Sequence, residues 1–448
     1  MAGIIGYYVN GYIQAATSFF AWYNLIGRKI LDFLYIIFNN IFNVLLFIAV
    51  LVSALYFIMS LYIIFKKEKK KNEEPYKGIL PFVTVQIPTF NELAAIRCAK
   101  KCLEFDYPKD KYEILIGDDS NKKEISSKLR DFAETTNGNV KIIKRGSNKG
   151  YKPGNLNNML RYSNGEIIVI FDSDFIPPKD FLSRIIEPFI NNQKIAGVQA
   201  RWNLVNPHQN FISILGATII WTYHHITIPF MKRRKITFLC GSAEAVRKDL
   251  LLKLGGWESG NLTEDIEFSL RLYENGYRIE YLEDLECDSE VPYTLKDLYM
   301  QQMRWAYGVI YSWNKHIGNV MKSSLLNIFD KFYMTVLFCS GYFLSILLAS
   351  LFITGTLSLI THPVAPVQWG RFFYEMARNI FLTSGLILAS VLALIKARKT
   401  KLTARMIASS FSYGLIVTYY VNVGIIKAMF KVPMEWYMLN KQGNQMAE

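Results

Sequence analysis

The sequence predicts an α/β protein: a cytosolic, doubly wound, mostly parallel sheet inserted in a block of transmembrane and interfacial helices. Three observations predict it. Short apolar runs between Phe82 and Phe171 alternate with mixed helical stretches, the order that builds a parallel sheet with crossover helices. Four of those runs end on polar or acidic residues, where ligands of open α/β sheets bind. Long uncharged stretches bordered by lysine and arginine frame this part on both sides, as in membrane proteins with a basic cytoplasmic edge.

Composition agrees. Hydrophobic residues make up 51% of the chain and the net charge is +14, with a mean hydropathy of +0.14. Nucleic acid is the rival explanation for the basicity, but no recognition motif for it is present, so no nucleic-acid partner is expected. The five cysteines, Cys98, Cys102, Cys240, Cys287 and Cys339, have neither the spacing of a disulfide framework nor that of a zinc site. They read as packing residues in a reducing compartment.

Taken in order, residues 1 to 30 are aromatic and uncharged until Arg28, and either lie along a membrane surface or cross it. Ile41 to Phe65 carries no charge and is long enough to span hydrocarbon. The lysines that follow, from Lys66 to Lys71, place that end in the cytoplasm. The run is too long and starts too far in for a cleaved signal peptide. Phe82 to Ile87 reads as a first strand, Tyr112 to Ile116 as a second, Val140 to Ile143 as a third and Glu166 to Phe171 as a fourth. Leu295 to Trp313 is amphipathic and reads as a helix in the membrane interface. Phe332 to Ile360, Phe372 to Ile395 and Met406 to Phe430 are long apolar runs. Their basic flanks conflict in parity, so either Met406 to Phe430 is re-entrant or interfacial, or an earlier run is a hairpin.

The strand ends carry the chemistry. The fourth ends on Asp172-Ser173-Asp174, two hard oxygen ligands that side by side suit Mg²⁺ or Mn²⁺ completed by water and phosphate oxygens; a plain surface turn is the alternative. Asn148 to Asn157 reads as a loop made by its glycines and proline, with Lys152 as a point charge for a phosphate. Gly241 and Ser242 allow a substrate to approach the backbone closely. Thr263-Glu264-Asp265 gives either a helix cap at Thr263 or a general base at Asp265. Within Gln301-Gln302-Met303-Arg304-Trp305, Arg304 suits diphosphate and Trp305 suits stacking on a sugar ring, or else interface anchoring.

Together these motifs resemble family 2 inverting glycosyltransferases of the cellulose synthase superfamily. Asp118-Asp119, Asp172-Ser173-Asp174, Thr263-Glu264-Asp265 and Gln301 to Trp305 stand in the family's order and approximate spacing. Lys152-Pro153-Gly154-Asn155-Leu156-Asn157 and Phe238-Leu239-Cys240-Gly241-Ser242 resemble stretches of bacterial cellulose synthase. Gln199-Ala200-Arg201-Trp202 and Val291-Pro292-Tyr293-Thr294 are similar to plant mannan synthases. The resemblance implies a GT-A-type sheet. Asp118 or Asp119 would contact the nucleotide, with Thr89 and Glu92 near its base and ribose. Asp172 and Asp174 would hold metal and diphosphate. Asp265, grouped with Thr263 and Glu264, would deprotonate the acceptor hydroxyl. Gln301, Arg304 and Trp305 would bind diphosphate and the acceptor sugar. Trp436 to Lys441 resembles a gating loop, with Leu439 in place of its threonine, and no cyclic-di-GMP domain is expected after it.

The expected organisation is interfacial and transmembrane helices over 1–70, a cytosolic catalytic domain over 75–295, interface helices over 296–325 and a C-terminal membrane block over 326–448. The expected protein is an integral membrane enzyme with its catalytic domain in the cytoplasm. It polymerises a hexose from UDP-glucose or GDP-mannose into a β-linked polysaccharide and exports it. The alternatives are a transferase to a lipid acceptor and a non-catalytic membrane protein. Expected partners are the nucleotide-sugar, the growing glycan or lipid acceptor, the bilayer, and a second copy or accessory subunit.

Overall fold

The computed structural model describes residues 2–66, 80–233, 236–362 and 368–439. Lys441 and the lysines after Lys66 fall outside the described residues. The chain divides into two compact units, one of residues 1–56 and 343–386 and one of 57–342 and 387–448.

The first unit is helical. Helix α1 (Ala2–Trp22) runs through a π-helical turn at Tyr23–Gly27 into α2 (Arg28–Phe65). The helical run that holds the expected apolar span is longer than that span: it extends from Gly11 to Phe65, contains a stretch apolar enough to cross a membrane, and ends, as expected, at Phe65. Within this unit Tyr35 meets His362 edge to face, with ring centroids 4.8 Å apart. The Gly385 amide donates to the Ser53 hydroxyl at 2.8 Å.

The second unit carries the sheet. Strand β1 (Val83–Thr89) is followed by α3 (Ala94–Leu103), β2 (Tyr112–Asp118), α4 (Lys123–Glu134) and β3 (Val140–Lys144). Helix α5 (Tyr151–Leu160) leads to β4 (Ile167–Ile170), then come the short helices α6 (Phe181–Ile185) and α7 (Glu187–Asn191) and β5 (Ile195–Leu204). All four expected strands form, shifted by one or two residues at their ends. The strand order is β3-β2-β1-β4 continuing into later strands, with β1 parallel to both β2 and β4. Every residue of β1, β2 and β4 is buried, which fits strands covered on both faces. The order reverses between β1 and β4. Such a switch point opens a crevice beyond the strands' carboxyl ends.

The expected loop at 148–157 is instead largely helix α5. Pro153 falls in its first turn, where the missing N–H costs nothing, and Asn155 on the next turn donates to the Gly117 carbonyl at 2.8 Å.

After β5, an apolar helix that sequence reading had passed over, α8 (Phe211–Thr222), continues through a π-helical turn into α9 (Ile228–Lys232). Phe211–Lys232 is long and apolar enough to span a membrane, yet its most apolar stretch is 83% buried inside the protein. Asn210 caps it, accepting from the amides of Ile212 and Ser213 at 2.9 Å each. Strand β6 (Glu244–Arg247) then inserts antiparallel between β4 and β5, and α10 (Lys248–Lys253) and α11 (Glu264–Glu274) lead to β7 (Arg278–Ser289), parallel to β5.

Helix α12 (Leu295–Lys322) outruns the amphipathic stretch expected there, and Thr294 caps it by accepting from the Asp297 amide at 3.1 Å. Helix α13 (Ile328–Thr361) contains the apolar segment Gly341–Thr361. The expected span 372–395 is two helices, α14 (Trp369–Leu382) and α15 (Gly385–Lys396), bent by 50° at the break. Helix α16 (Thr403–Met429) is not among the helices long and apolar enough to cross. Its Val417, Val421 and Ile425 instead join Leu298 and Ala306 of α12 and Ile212 and Leu215 of α8 in one apolar cluster.

Candidate active site

One cleft gathers the ends of β1 and β4, the start of α11, the middle of α12 and the tail after α16. It encloses about 1360 Å³, counting its open mouth. Of the residues singled out from the sequence, Thr89, Glu92, Asp119, Lys152, Asp172, Asp174, Gly241, Thr263, Glu264, Asp265, Gln301, Arg304, Trp305 and Trp436 all line it.

Two do not. Asp118 is fully buried. It accepts from the Ser120 amide at 2.9 Å, the Ser126 hydroxyl at 2.5 Å and Lys144 Nζ at 3.3 Å. Burial works to raise its carboxyl, but these donors outweigh burial and hold it below its ordinary value. These bonds tie down the end of β2. Ser242 is also fully buried. Its hydroxyl accepts from the Asp172 amide at 2.9 Å, so it fixes the backbone of a cleft residue instead of lining the cleft. Lys441, outside the described residues, has no structural account.

At the rim of the sheet, the Thr89 hydroxyl donates to the Glu92 carbonyl at 3.1 Å, and Ser173 donates to the Glu92 carboxylate. Asp119 is gripped by Arg145, whose Nε and Nη2 donate to its two oxygens at 2.8 and 2.6 Å. Such a two-point pair fixes a carboxylate in orientation as well as position. Sequence reading missed Arg145. It belongs to no motif, and a basic residue just after a strand is the only signal it offers.

The centre of the cleft is an ion cluster. Lys152 Nζ lies 2.8 Å from Asp172 Oδ1 and 3.2 Å from Glu264 Oε1, and donates to the Gly241 carbonyl at 2.5 Å. Burial alone would lower this ammonium, yet Asp172 and Glu264 more than offset that and hold it protonated. Lys152 thus already neutralises carboxylates in the ligand-free protein, which the phosphate reading from sequence did not foresee. Gly241 sits at φ +83°, and a Cβ there would come within 3.3 Å of both Asp265 Oδ2 and Lys152 Nζ. Only glycine takes that backbone shape at low cost. Its amide and that of Cys240 donate to Glu244 Oε2 at 2.8 and 3.1 Å. Glu244 is a second residue with no sequence signal. The run Gln199 to Trp202 also supports this loop: Gln199 Nε2 and Trp202 Nε1 donate to the Ser242 carbonyl at 2.9 and 3.0 Å.

Asp265 is buried in the first turn of α11. Burial raises its carboxyl, the charge of Glu264 adds to this, and Lys152, the Ile266 amide and Arg304 oppose it; the outcome is about 7. A carboxylate held there is matched to proton transfer near neutral pH. Thr263 occupies the cap position of α11 but does not cap it, and its buried hydroxyl has no hydrogen-bond partner among the described residues. The side chain is accommodated by Gly308 of α12: a Cβ at 308 would stand 2.4 Å from Thr263 Oγ1.

The far wall comes from α12 and the tail. Arg304 donates to the Leu262 carbonyl at 3.1 Å and stacks over the Trp436 ring at 4.3 Å. Burial lowers its guanidinium, and Glu264, Asp172 and Asp265 partly restore it. Trp436 also stacks on Tyr151, with centroids 6.2 Å apart at 23°. Tyr437 donates to Asp297 Oδ1 at 3.0 Å, which pins the tail to α12. Trp305 faces Trp202 at 6.5 Å.

The donor chemistry fits a divalent cation. Asp172 and Asp174 are hard oxygen ligands at one strand end, and the ammonium of Lys152 already stands against Asp172. Among the described residues no three side chains converge as a complete ligand set. A Mg²⁺ or Mn²⁺ held by two carboxylates and completed by water and phosphate oxygens matches that partial set.

Residues 81–308 match the family described as "Glycosyltransferase like family 2". Among curated relatives, glucomannan 4-beta-mannosyltransferase 7 of Arabidopsis thaliana is 29% identical over 321 residues, which are 66% of this chain and 57% of that protein. Glucomannan 4-beta-mannosyltransferase 1 of Oryza sativa subsp. japonica is 28% identical over 274 residues, 59% of this chain and 52% of that protein. The chain therefore spans about half the length of these plant relatives. The glycosyltransferase YdaM of Bacillus subtilis (strain 168) is 27% identical over 394 residues, 84% of this chain and 90% of that one. A solved structure of the mannosyltransferase PcManGT from Pyrobaculum calidifontis, in complex with GDP-Man and Mn²⁺, superposes with a TM-score of 0.60 at 18% identity, over 88% of this chain and 100% of that chain. At that identity the likeness is one of fold, and it bears out the GT-A-like sheet.

Proposed function

The chain belongs to glycosyltransferase-like family 2, and on that premise we propose that it is a membrane-embedded, inverting hexosyltransferase. It takes GDP-mannose ahead of UDP-glucose, adds the sugar to a growing β-linked polysaccharide, and passes the polymer across the membrane. The names of the plant relatives and the ligand of the archaeal structure support mannose. The observation that carries the reading is the single cleft that brings Lys152, Asp172, Glu264, Asp265, Arg304 and Trp305 together from separate parts of the chain.

In this reading the acceptor hydroxyl sits against Asp265, which takes its proton as the oxygen attacks the anomeric carbon. The bond from that carbon to the diphosphate breaks, and the nucleoside diphosphate leaves with the electron pair. One base on the face opposite the leaving group gives inversion with no covalent sugar–enzyme intermediate. Asp172 and Asp174 would hold Mg²⁺ or Mn²⁺, which when bound supplies positive charge for the diphosphate. Arg304 adds fixed positive charge on the other side. Asp119, held by Arg145, together with Thr89 and Glu92, orients the nucleotide. Gln301, Trp305 and Trp436 form the sugar-facing wall, with aromatic faces suited to a hexose. The catalytic unit lies on the cytoplasmic side, where nucleotide-sugars are present, anchored by the apolar segments in α1–α2, α13 and α14–α15.

The test is to incubate the purified protein with GDP-mannose, UDP-glucose or UDP-N-acetylglucosamine, and to follow nucleotide release and product length. Long polymer from GDP-mannose is expected. A short lipid-linked sugar would replace polymer synthesis with transfer to a lipid acceptor. No release from any donor would remove the catalytic reading.

A further inference from the structure

A second polar cavity, enclosing about 1100 Å³ counting its open mouth, is lined by Lys66, Arg201, His225, Glu283, Glu286, Lys396 and Arg398. It is separate from the cleft, although both draw on β5. Successive residues of a strand point to opposite faces: Trp202 lines the cleft, while Arg201 and Asn203 line this cavity.

Three features mark it as built. First, the pairing of β5 with β7 slips at this point, from Ala200 opposite Leu282 to Arg201 opposite Glu286. The slip loops residues 283–285 out of register and sets Glu283 and Glu286 on either side of Arg201, at 3.9 and 3.6 Å. Irregularities of this kind commonly re-aim side chains at sites. Second, Arg398 adopts φ +57° just past the end of α15, where its successor's amide reaches back to the Leu394 carbonyl at 2.8 Å. Glycine is the usual residue at such a helix end, and here an arginine bears the strain and stands in the cavity lining. Third, His225 is 5% exposed and turned to the cavity wall.

Charge decides what this cavity takes. Four cations, Lys66, Arg201, Lys396 and Arg398, line it against two carboxylates. Both carboxylates are already shared: Glu283 pairs with Lys66 and lies 3.9 Å from both Lys232 and Arg201, and Glu286 lies 3.6 Å from Arg201. Two arginines offer planar forks suited to phosphate oxygens. Lys66 and Lys396 stand at the ends of the apolar helices α2 and α15, where a lipid headgroup would lie.

We propose that this cavity binds a phosphate-class anion, supplied either by an anionic phospholipid headgroup or as free phosphate. The test uses the full-length protein in phospholipid-free detergent. Thermal unfolding is followed in sodium phosphate and in sodium chloride at matched ionic strength. Retention of phosphatidylglycerol and of phosphatidylcholine is then compared by native mass spectrometry. Arg398→Gly is the diagnostic variant, because glycine keeps the left-handed backbone while removing the guanidinium. It is expected to unfold at or above the wild-type temperature without anion and to bind the anion about tenfold more weakly, the loss of one charge-assisted contact. Arg304→Met, in the cleft, is expected to leave this binding unchanged. Protection by phosphate alone identifies a free anion, and selective retention of phosphatidylglycerol identifies a headgroup. The proposal is overturned if phosphate protects no better than chloride and neither lipid is preferred. It is equally overturned if Arg398→Gly binds as wild type, or if Arg304→Met alone abolishes the effect.

Discussion

The cleft and the second cavity share a strand and have opposite charge balance. Glu92, Asp119, Asp172, Asp174, Glu264, Asp265 and Glu290 line the first against Lys152 and Arg304. In the second, four cations face two carboxylates. Crowded carboxylates repel, so one of them yields by holding its proton more tightly. Asp265 is raised to about 7 by burial first and by the charge of Glu264 second. An acid-rich pocket prepared in this way has use for both a cation and a base, whereas a base-rich one has use for neither. The comparison teaches that the sheet separates two electrostatic tasks by the alternation of a single strand.

The largest way to break the comparison is at Asp265. Asp265→Asn removes the base without changing shape, and transfer is expected to fall by about 10²–10⁴-fold while donor binding by equilibrium titration stays at wild type. Retained turnover would leave the acid-rich cleft without its base. Next is the cation. Asp172→Ala, or a chelator added to wild type, is expected to weaken donor binding by about 10²-fold, on the scale of losing one preorganised electrostatic group. Binding that ignores both treatments would mean that Lys152 and Arg304 suffice for the diphosphate.

A smaller effect is expected where α11 meets α12. Gly308→Ala puts a methyl group 2.4 Å from the Thr263 hydroxyl and is expected to cost about 1–3 kcal/mol in thermal or denaturant unfolding. Thr263→Val removes a buried hydroxyl that has no partner among the described residues, so stability is expected to hold or rise. Substantial destabilisation by Thr263→Val would show that the hydroxyl has a structural partner after all.

The smallest effect is on pH. The carboxyls of Asp265 and Glu244 are raised to about 7 and about 8, chiefly by burial, so the folded ligand-free protein binds more protons than the unfolded chain between about pH 4 and 8. Stability contributed by these groups is present at the acid end of that window and is lost as pH rises through their folded values. Unfolding midpoints are expected to drop from pH 5 to pH 8, with a shallower drop in Asp265→Asn. A flat profile would mean that the crowding of acids is not felt.

Much of the fold was legible because buried parallel strands are rich in apolar residues: β4 is an uninterrupted apolar run, and β1, β2 and β3 each keep a Val/Ile/Leu framework around a few polar positions. Strands β5 to β7 were not, since their polar residues serve as internal supports: Gln199 and Glu244 hold the Cys240–Gly241 backbone, and Glu283 and Glu286 belong to the second cavity. Pro153 and Gly154 suggested a loop, but proline in a first turn belongs equally to a helix start, and tertiary contacts to Gly117 settled which. The apolar helix from Phe211 was hidden for a different reason, since hydropathy records what avoids water and not whether lipid or protein covers it. Residues inside short motifs line the cleft, whereas Asp118 and Ser242 are buried beside it. Arg145 was missed because its value arises only when the ends of β2 and β3 lie side by side.

Trp436 closes the cleft from a point late in the chain, wedged between Tyr151 and the Arg304 guanidinium. On a ribosome the whole sheet is synthesised well before that indole emerges. The acidic rim can therefore assemble while the wall that Trp436 supplies is still missing. A nascent chain stalled after α16 is expected to hold the sheet and its acidic rim but to lack the wall that Trp436 supplies.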